Sequence, residues 1–367
     1  MEANMKSTRN LSTLNCFVNG FENAEWWVGI DVHARSYAVT LQRSDGQIRT
    51  WTAPADPRSL LASFSRLGIV PRAIAQEAGP TGYDLARTVE ASGIAVIVAA
   101  PSRIPRPVAA GAKCDRLDCR RLADYAARGL LTSIAIPDLD EETFRGLVRR
   151  RQAVTDQIRR CKQRIKSMLI YHDIQEKMDL TTWSASNRRW LQTAELPRDA
   201  RAILDSLLEE LSSHEKNRER IDDNLEVCVE SNPALKKRRT ALTSVPGVGN
   251  GVAHTFLSEV FRPGRFTRAG EVTSYLGLAP MVHHSGESIP SGRLRPVGQK
   301  RLRSLLVEAS WRWKKEDPGA DAIYARVLGR TGIAQKAIVA VARRLAEILW
   351  RLSIEQRPYY PMPFAER

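Results

Sequence analysis

The chain has 367 residues, 43% of them hydrophobic, which is enough for two or three domains with buried cores. Its 56 Lys and Arg residues against 41 Asp and Glu give a formal net charge of +15, which favours a polyanionic partner such as nucleic acid. The N-terminal stretch lacks the apolar core of a secretory signal, and no run is long enough to span a bilayer. The cysteines are scattered without CxxC or zinc spacing, which predicts a cytoplasmic protein with reduced thiols.

Residues 1–24 are predicted to be a polar, mobile leader. Residues 25–137 show two β-rich runs joined by Ser44-Asp45-Gly46, a strong hairpin signal, and then strands alternating with helices. This alternation predicts an α/β sheet covered by helices. The later elements of this domain are helices at 57–68, 82–93 and 115–130 and strands at 71–78 and 94–101, the last an apolar run typical of a strand buried on both faces.

Residues 138–232 are predicted to form a helical coiled-coil arm, because two long charged helices carry heptad-like seams. The first seam comprises Leu147, Arg151, Val154, Ile158, Cys161, Ile165 and Met168. The second comprises Leu204, Leu207, Leu211, His214, Arg218, Ile221, Leu225 and Cys228. The pattern indicates an antiparallel helical hairpin, which either pairs with another subunit or is an ordinary two-helix packing unit.

Residues 233–352 are predicted to form a mainly α-helical domain that ends in a long amphipathic helix, followed by a tail at 353–367. The glycines Gly247 and Gly249 precede an apolar helix in an arrangement like a helix–hairpin–helix element. Two interpretations stay open. The glycines allow backbone N–H groups to approach a DNA phosphate, or they only form a tight turn between helices.

Four acids occupy positions that suit a metal site. Asp31 and Glu77 stand at predicted strand ends, and Asp115 and Asp118 lie three residues apart on one helix face. Clustered carboxylates require cations, and their oxygen ligands suit Mg²⁺ or Mn²⁺. Taken singly, each acid has a more common explanation as a turn residue or a helix cap.

A Gly- and Ser-rich segment with Ser285, Ser288 and Ser291 precedes a run of basic residues. Cations beside a serine can hold a phosphate in place for attack, although such a segment taken alone is most often a plain loop. The adjacent His283 and His284 suggest a base or a metal ligand, yet they have no partner at ligand spacing. The basic residues are Arg293, Arg295, Lys300, Arg301 and Arg303.

The motif order along the chain resembles the DEDD transposases of insertion-sequence family 110, also called bridge-RNA-guided recombinases. The N-terminal motifs similar to the family's RuvC-like, RNase H-like domain are GIDVH, QEAGPTGYDLAR and KCDRLDCRRLA. Those similar to its C-terminal transposase domain are SVPGVG, SYLGLAP, HHSGES and GQKRLRSLLVEASW. The resemblance extends from Trp27 to about Arg351.

The resemblance implies that Asp31, Glu77, Asp115 and Asp118 bind Mg²⁺ and that Ser285 is the nucleophile of a DNA recombination reaction. It also implies binding to the DNA of the element ends and target, a noncoding guide RNA, and a homo-oligomer, either dimer or tetramer. Two other functions compete with this expectation. One is a RuvC-like nuclease that hydrolyses DNA without a covalent serine step, and the other is a nucleic-acid-binding protein without enzymatic activity.

Overall fold

The computed structural model describes residues 12–105, 115–174, 182–282, 291–294 and 298–361, with the side chains of 115–117, 281–282 and 291–293 outside the description. The chain divides into two compact units, Met1–Asp138 and Leu139–Arg367. The predicted arm at 138–232 and the predicted domain at 233–352 therefore fall almost entirely within one unit. No helix in the described ranges is both long enough and apolar enough to cross a membrane.

The first unit is built on a five-stranded mixed sheet with the order β3-β2-β1-β4-β5, so an α/β fold is confirmed. The central strand β1 pairs antiparallel with β2 and parallel with β4. Strand β3 is antiparallel to β2, and β5 is parallel to β4. The strands are β1 (Trp26–Val32), β2 (Ser36–Arg43), β3 (Ile48–Pro54), β4 (Ala73–Glu77) and β5 (Ala95–Ala99).

The predicted hairpin at Asp45-Gly46 joins β2 to β3. Gly46 has φ +87°, and the Arg43 amide donates to the Gln47 carbonyl at 2.9 Å. The prediction of two β-rich runs was wrong in one respect, because the first run is two strands separated by a turn in which the His33 amide donates to the Ser36 carbonyl at 3.0 Å. That turn contains neither Gly nor Pro, so the sequence pattern does not mark it.

The α-helices that accompany this sheet in the described part of the unit are α1 (residues 12–18), α2 (Pro57–Arg66), α3 (Asp84–Ala91) and α4 (Asp115–Ala127). Alternate residues of β1 point to opposite faces. Trp26, Val28 and Ile30 share a core with α2 and α3. Trp27 packs instead with Leu122 of α4. The predicted two-sided burial of the last strand was wrong, since β5 is an edge strand whose first residues are exposed or half-buried.

The predicted mobile leader at 1–24 differs from the structure from residue 12 onward. Leu14 and Val18, one helical turn apart on α1, are buried in the core beside α2. The Phe17 ring meets the Trp26 ring edge-on, with 5.6 Å between centroids. Burial of this apolar stripe makes α1 part of the folded unit; residues 1–11 lie outside the description.

Gly29 allows α4 to lie directly on β1. A Cβ atom at Gly29 would stand 2.0 Å from the Cys119 carbonyl oxygen and 2.4 Å from the Ala123 amide nitrogen. Both atoms belong to helix backbone, which cannot give way as a flexible side chain can. Glycine is therefore required here by packing, and it fixes the height of α4 above the sheet.

We expect Gly29→Ala to lower the free energy of unfolding by about 3 kcal/mol, because overpacking of this size forces the helix off the sheet. Urea unfolding followed by tryptophan fluorescence measures the change. Gly79→Ala is the matched control, since the nearest atom to its new Cβ would be 4.0 Å away. Equal midpoints for the two variants would contradict this account of the packing.

In the second unit, two 33-residue helices pack antiparallel: α5 (Leu139–Tyr171) and α7 (Arg198–Glu230). Arg151 near the start of α5 pairs with Asp222 near the end of α7, whereas Arg164 pairs with Glu210 at 2.6 Å. The apolar members of both predicted seams are buried or partly buried in one continuous core. The apolar seam residues thus pack against other parts of the same chain, as expected for an ordinary two-helix packing unit. Self-association through these helices stays a prediction.

The rest of the second unit is mainly α-helical, with one small antiparallel pair of strands that the sequence did not predict. These strands are β6 (Pro280–Val282) and β7 (Ser291–Leu294). The helices are α6 (Ala185–Thr193), α8 (Pro233–Thr243), α9 (Asn250–Glu259), α10 (Ala269–Tyr275), α11 (Lys300–Glu316), α12 (Pro318–Thr331) and α13 (Ala334–Glu355). The predicted tail from 353 is in part anchored, because α13 continues to Glu355 and the Tyr359 hydroxyl donates to Asp317 Oδ2 at 2.6 Å.

A buried histidine on α9 carries a strongly lowered pKa. His254 is 5% exposed, and burial, reinforced by the charges of Arg239 and Arg151, lowers its pKa to about 4. Glu226 and Asp222 oppose this shift more weakly. The ring is therefore neutral in the folded protein at neutral pH.

We expect stability to fall as the pH drops from about 6.5, where histidine titrates in the unfolded chain, toward about 4. Within this window the unfolded chain binds a proton that the folded His254 does not, so the total loss is about 3 kcal/mol. Urea unfolding of wild type and His254→Gln across this window measures it. The wild-type curve should decline more steeply, and parallel curves would show that His254 contributes nothing.

Candidate active site

Asp31 and Glu77 occupy neighbouring positions at the ends of two parallel strands. The register of β1 and β4 pairs Ile30 with Gln76, and the two acids each follow one residue later. Hydrogen-bonded strands lie about 4.8 Å apart, so the two acids stand side by side at the carboxyl edge of the sheet. The sequence predicted this proximity from the strand ends alone.

Both acids point to the face of the sheet that α4 covers. Asp31 lies two residues after Gly29, and Glu77 two residues after Ala75, so alternation gives each pair a common face. Gly29 is the position directly beneath α4, and Ala75 packs against Leu122 of that helix. The Asp31 side chain is 25% exposed, and Glu77 is open to solvent.

Helix α4, which covers this face, carries a third acid. Asp118 is 30% exposed and precedes Cys119, whose Sγ lies 3.2 Å from Thr40 Oγ1 on β2. Burial raises the pKa of the Cys119 thiol, and the negative charge of Asp31 adds a smaller increase. The charge of Asp31 therefore acts on the first turns of α4. Asp115 is the first residue of α4, but its side chain lies outside the description.

Two side chains close to these acids were not singled out from the sequence. His33 Nε2 lies 3.4 Å from Asp31 Oδ2, and Arg121 lies 3.5 Å from Asp118 Oδ1. Spacing in the sequence could have indicated both side chains. His33 follows Asp31 by two residues, and Arg121 lies one helical turn after Asp118.

The donors have the chemistry of a divalent metal site. Carboxylate oxygens are the ligands of hard cations such as Mg²⁺ and Mn²⁺. Within the described side chains, no group of three or more His, Cys, Asp or Glu residues is arranged closely enough to hold a metal ion. The structure thus places Asp31 and Glu77 at neighbouring strand positions and Asp118 on the covering helix, while a metal site shared by these acids and Asp115 stays a prediction.

The glycines before α9 have different structural reasons. Gly247 has φ +83°, and a Cβ there would lie 2.8 Å from the Ala309 carbonyl oxygen of α11. Close packing and backbone conformation therefore account for Gly247, which favours the tight-turn interpretation. Gly249 has open space around it and precedes the first turn of α9, so a phosphate contact there stays a prediction.

The serine segment lies mostly outside the described residues, which exclude His283, His284, Ser285, Ser288 and Arg295. The chain on either side of it is the antiparallel pair β6 and β7. Backbone positions alone are described for Ser291 and Arg293, which belong to β7.

The basic residues of α11 differ in exposure. Lys300 is exposed, and Arg303 donates to the Gly277 carbonyl at 3.2 Å. Burial lowers the pKa of Arg301, whose Nε and one terminal nitrogen have no hydrogen-bond partner in the described part of the chain. Lys300 is thus the most accessible of the three for a phosphate. Arg301 is partly buried, and two of its nitrogens have no hydrogen-bond partner among the described residues.

Comparisons with known proteins match both units to one kind of protein. A family pattern described as "Transposase", of the DEDD IS110 type, matches residues 28–172. A second, described as "Transposase IS116/IS110/IS902 family", matches residues 239–325.

Similar proteins in bacteria span most of this chain. "Putative transposase y4qE" of Sinorhizobium fredii is 28% identical over 91% of this chain and 90% of its own length. "Putative transposase y4rJ" of the same organism is 27% identical over 82% of this chain and 83% of its own length. "Transposase for insertion sequence element IS1533" of Leptospira borgpetersenii is 25% identical over 73% of this chain and 77% of its own length. With both family patterns matched in order along a single chain, this protein belongs to the IS110 family of DEDD transposases, enzymes that cut and rejoin DNA.

Proposed function

We propose that the chain catalyses transposition of an insertion sequence through a Mg²⁺-dependent carboxylate site and a serine nucleophile. The observation that supports the carboxylate site is the adjacent placement of Asp31 and Glu77 at the carboxyl edge of the sheet. Asp118 of α4, together with Asp115 at its start, completes the proposed ligand set.

The protein residues position the reacting phosphate and balance charge. A bound Mg²⁺ supplies Lewis-acid stabilisation of the negative charge that develops on the scissile phosphate. His33 and Arg121 orient Asp31 and Asp118 from outside, in the way that groups behind a metal ligand fix its direction. Gly29 sets the distance between α4 and β1 and so the separation of the acids across them.

Ser285 is proposed as the nucleophile because it follows the SYLGLAP motif in the HHSGES segment. Its Oγ forms a bond to phosphorus as the bond to the leaving deoxyribose oxygen breaks, which conserves the phosphodiester energy for rejoining. The flanking Gly286 permits close approach of backbone to DNA. Arg293, Arg295 and Lys300 are proposed to hold the phosphate.

We further propose that a noncoding RNA of the element guides the reaction by pairing with target and donor DNA, and that the protein acts as a homo-oligomer. The net charge of +15 supports binding of more than one polyanion.

A second function is a RuvC-like nuclease that hydrolyses DNA at the carboxylate site alone. It is favoured by one observation, that Asp31, Glu77 and Asp118 all belong to the first compact unit. The two functions differ in their products, because hydrolysis leaves free ends and the serine reaction leaves DNA joined to protein.

The test uses the full chain, DNA with the element ends, a target duplex, and RNA transcribed from the flanking noncoding region. We expect cut and rejoined DNA in Mg²⁺, and none after chelation of the metal. Cleaved but never rejoined products would favour the nuclease, and metal-independent joining would refute the carboxylate site.

A further inference from the structure

An open groove of about 660 Å³ lies on the α4 side of the first unit, and one end of it adjoins a proposed metal ligand, because Arg121 lines the groove and lies 3.5 Å from Asp118 Oδ1. It runs between the second half of α4 and the β2–β3 hairpin. Three of the residues that line it are arginines: Arg120 and Arg121 of α4, and Arg128 directly after its end. Two aromatic residues, Trp27 and Tyr125, also line it.

The groove arginines are placed to meet an anion. Arg120 is exposed, and its Nε donates to Thr50 Oγ1 at 3.2 Å. Arg128 is 67% exposed, and its Nε lies 2.8 Å from Asp124 Oδ1. Each of these contacts engages the Nε of a guanidinium that has five N–H donors, so both side chains can also bind a phosphate oxygen.

Trp27 and Tyr125 give the groove a second kind of contact. Both are half-buried, so part of each side chain remains accessible from the groove. The flat faces of nucleotide bases stack on such rings, but in a duplex those faces are covered by neighbouring base pairs. A cavity with both cations and aromatic rings therefore fits an unpaired strand better than a duplex.

The position of the groove relative to Asp118 indicates which strand it holds. From Asp118 to Ala127, the last residue of α4, the helix advances nine residues, about 14 Å at 1.5 Å per residue, and Arg128 follows directly. This distance spans about four stacked nucleotides at the ~3.4 Å rise of a DNA strand.

We propose that this groove binds the unpaired DNA strand that carries the scissile phosphate, over about four nucleotides that begin beside the cleavage position. Arg120 and Arg128 bind its phosphates, and Tyr125 stacks on a base. The position relative to the cleavage point rests on the proposed function, whereas binding of an unpaired strand does not.

The test measures binding of the full chain to an unpaired DNA strand, its duplex and the RNA of the same sequence, all in chelator so that no cleavage occurs. We expect the double variant Arg120→Gln with Arg128→Gln to bind the unpaired strand about tenfold more weakly. Its log–log salt slope should be smaller by about 1.4, or 0.7 for each lost phosphate contact. Tyr125→Leu should weaken binding by roughly tenfold without changing the slope.

The matched control is Arg58→Gln with Arg66→Gln, two exposed arginines of α2 on the opposite face of the sheet. An equal loss in this control would overturn the proposal, as would an equal loss on duplex DNA or a larger loss on RNA. Replacing single DNA phosphates by neutral methylphosphonates then maps the contact. Phosphate positions whose replacement weakens binding to wild type should no longer affect binding to the Arg120→Gln, Arg128→Gln variant. Asp31→Asn must leave this binding unchanged, which separates the groove from the proposed catalytic site.

Discussion

Asp31→Asn is expected to lower the rate of DNA cleavage by about a thousandfold, with Glu77→Gln reducing it by a similar factor. Both changes keep the shape of the side chain and remove the negative charge that a divalent cation requires. Because the two acids occupy adjacent strand positions, loss of either removes one of the two ligands that the sheet edge is proposed to supply to the cation. Single-turnover cleavage at saturating protein measures the chemical step separately from DNA binding.

The control for this experiment is Glu90→Gln, an exposed acid in the last turn of α3. It removes the same charge in the same unit and should leave the rate unchanged. DNA binding in chelator should be equal in all these proteins. A full cleavage rate in folded Asp31→Asn would mean that the carboxylates at this sheet edge do not serve the reaction.

The part of the site that could be predicted is the part fixed by strand periodicity. Apolar runs that end in an acid place Asp31 and Glu77 at strand ends, and the parallel pairing of β1 with β4 then brings them together. Contacts between residues distant in the sequence could not be predicted, because no local pattern shows that Cys119 of α4 lies over Gly29. The glycine had a packing reason that only the fold reveals.

Errors elsewhere in the fold have similarly physical causes. An apolar run such as that of β5 has the same composition whether it lies at the centre or the edge of a sheet, so its edge position was missed. The short stripe of Leu14 and Val18 is interrupted by polar residues, and its burial depends on the core it meets. The seams of α5 and α7 were correctly seen as apolar, but periodicity alone does not say whether the partner helix is in the same chain.

Ser285→Ala is expected to abolish covalent protein–DNA adducts while leaving DNA binding intact. A serine hydroxyl is a weak nucleophile at neutral pH, so attack requires activation and stabilisation of charge on the phosphate. When the nucleophile itself is removed, the nearby cations cannot replace the missing oxygen, and the loss should be complete within detection. Denaturing gels of wild type with radiolabelled DNA reveal the adduct as a slow-moving, protease-sensitive band.

Ser288→Ala and Ser291→Ala are the matched controls, because they make the same change within six residues of Ser285. Ser291 starts β7, opposite Val282 of β6, so its position is held by strand pairing, whereas Ser285 follows the end of β6 by three residues. We expect adducts in both controls. Adducts that persist in Ser285→Ala and vanish in one of the others would reassign the nucleophile. If active wild type forms cleaved DNA and never an adduct, water rather than serine attacks the phosphate, and the carboxylate edge of the first unit is the whole of the reaction centre.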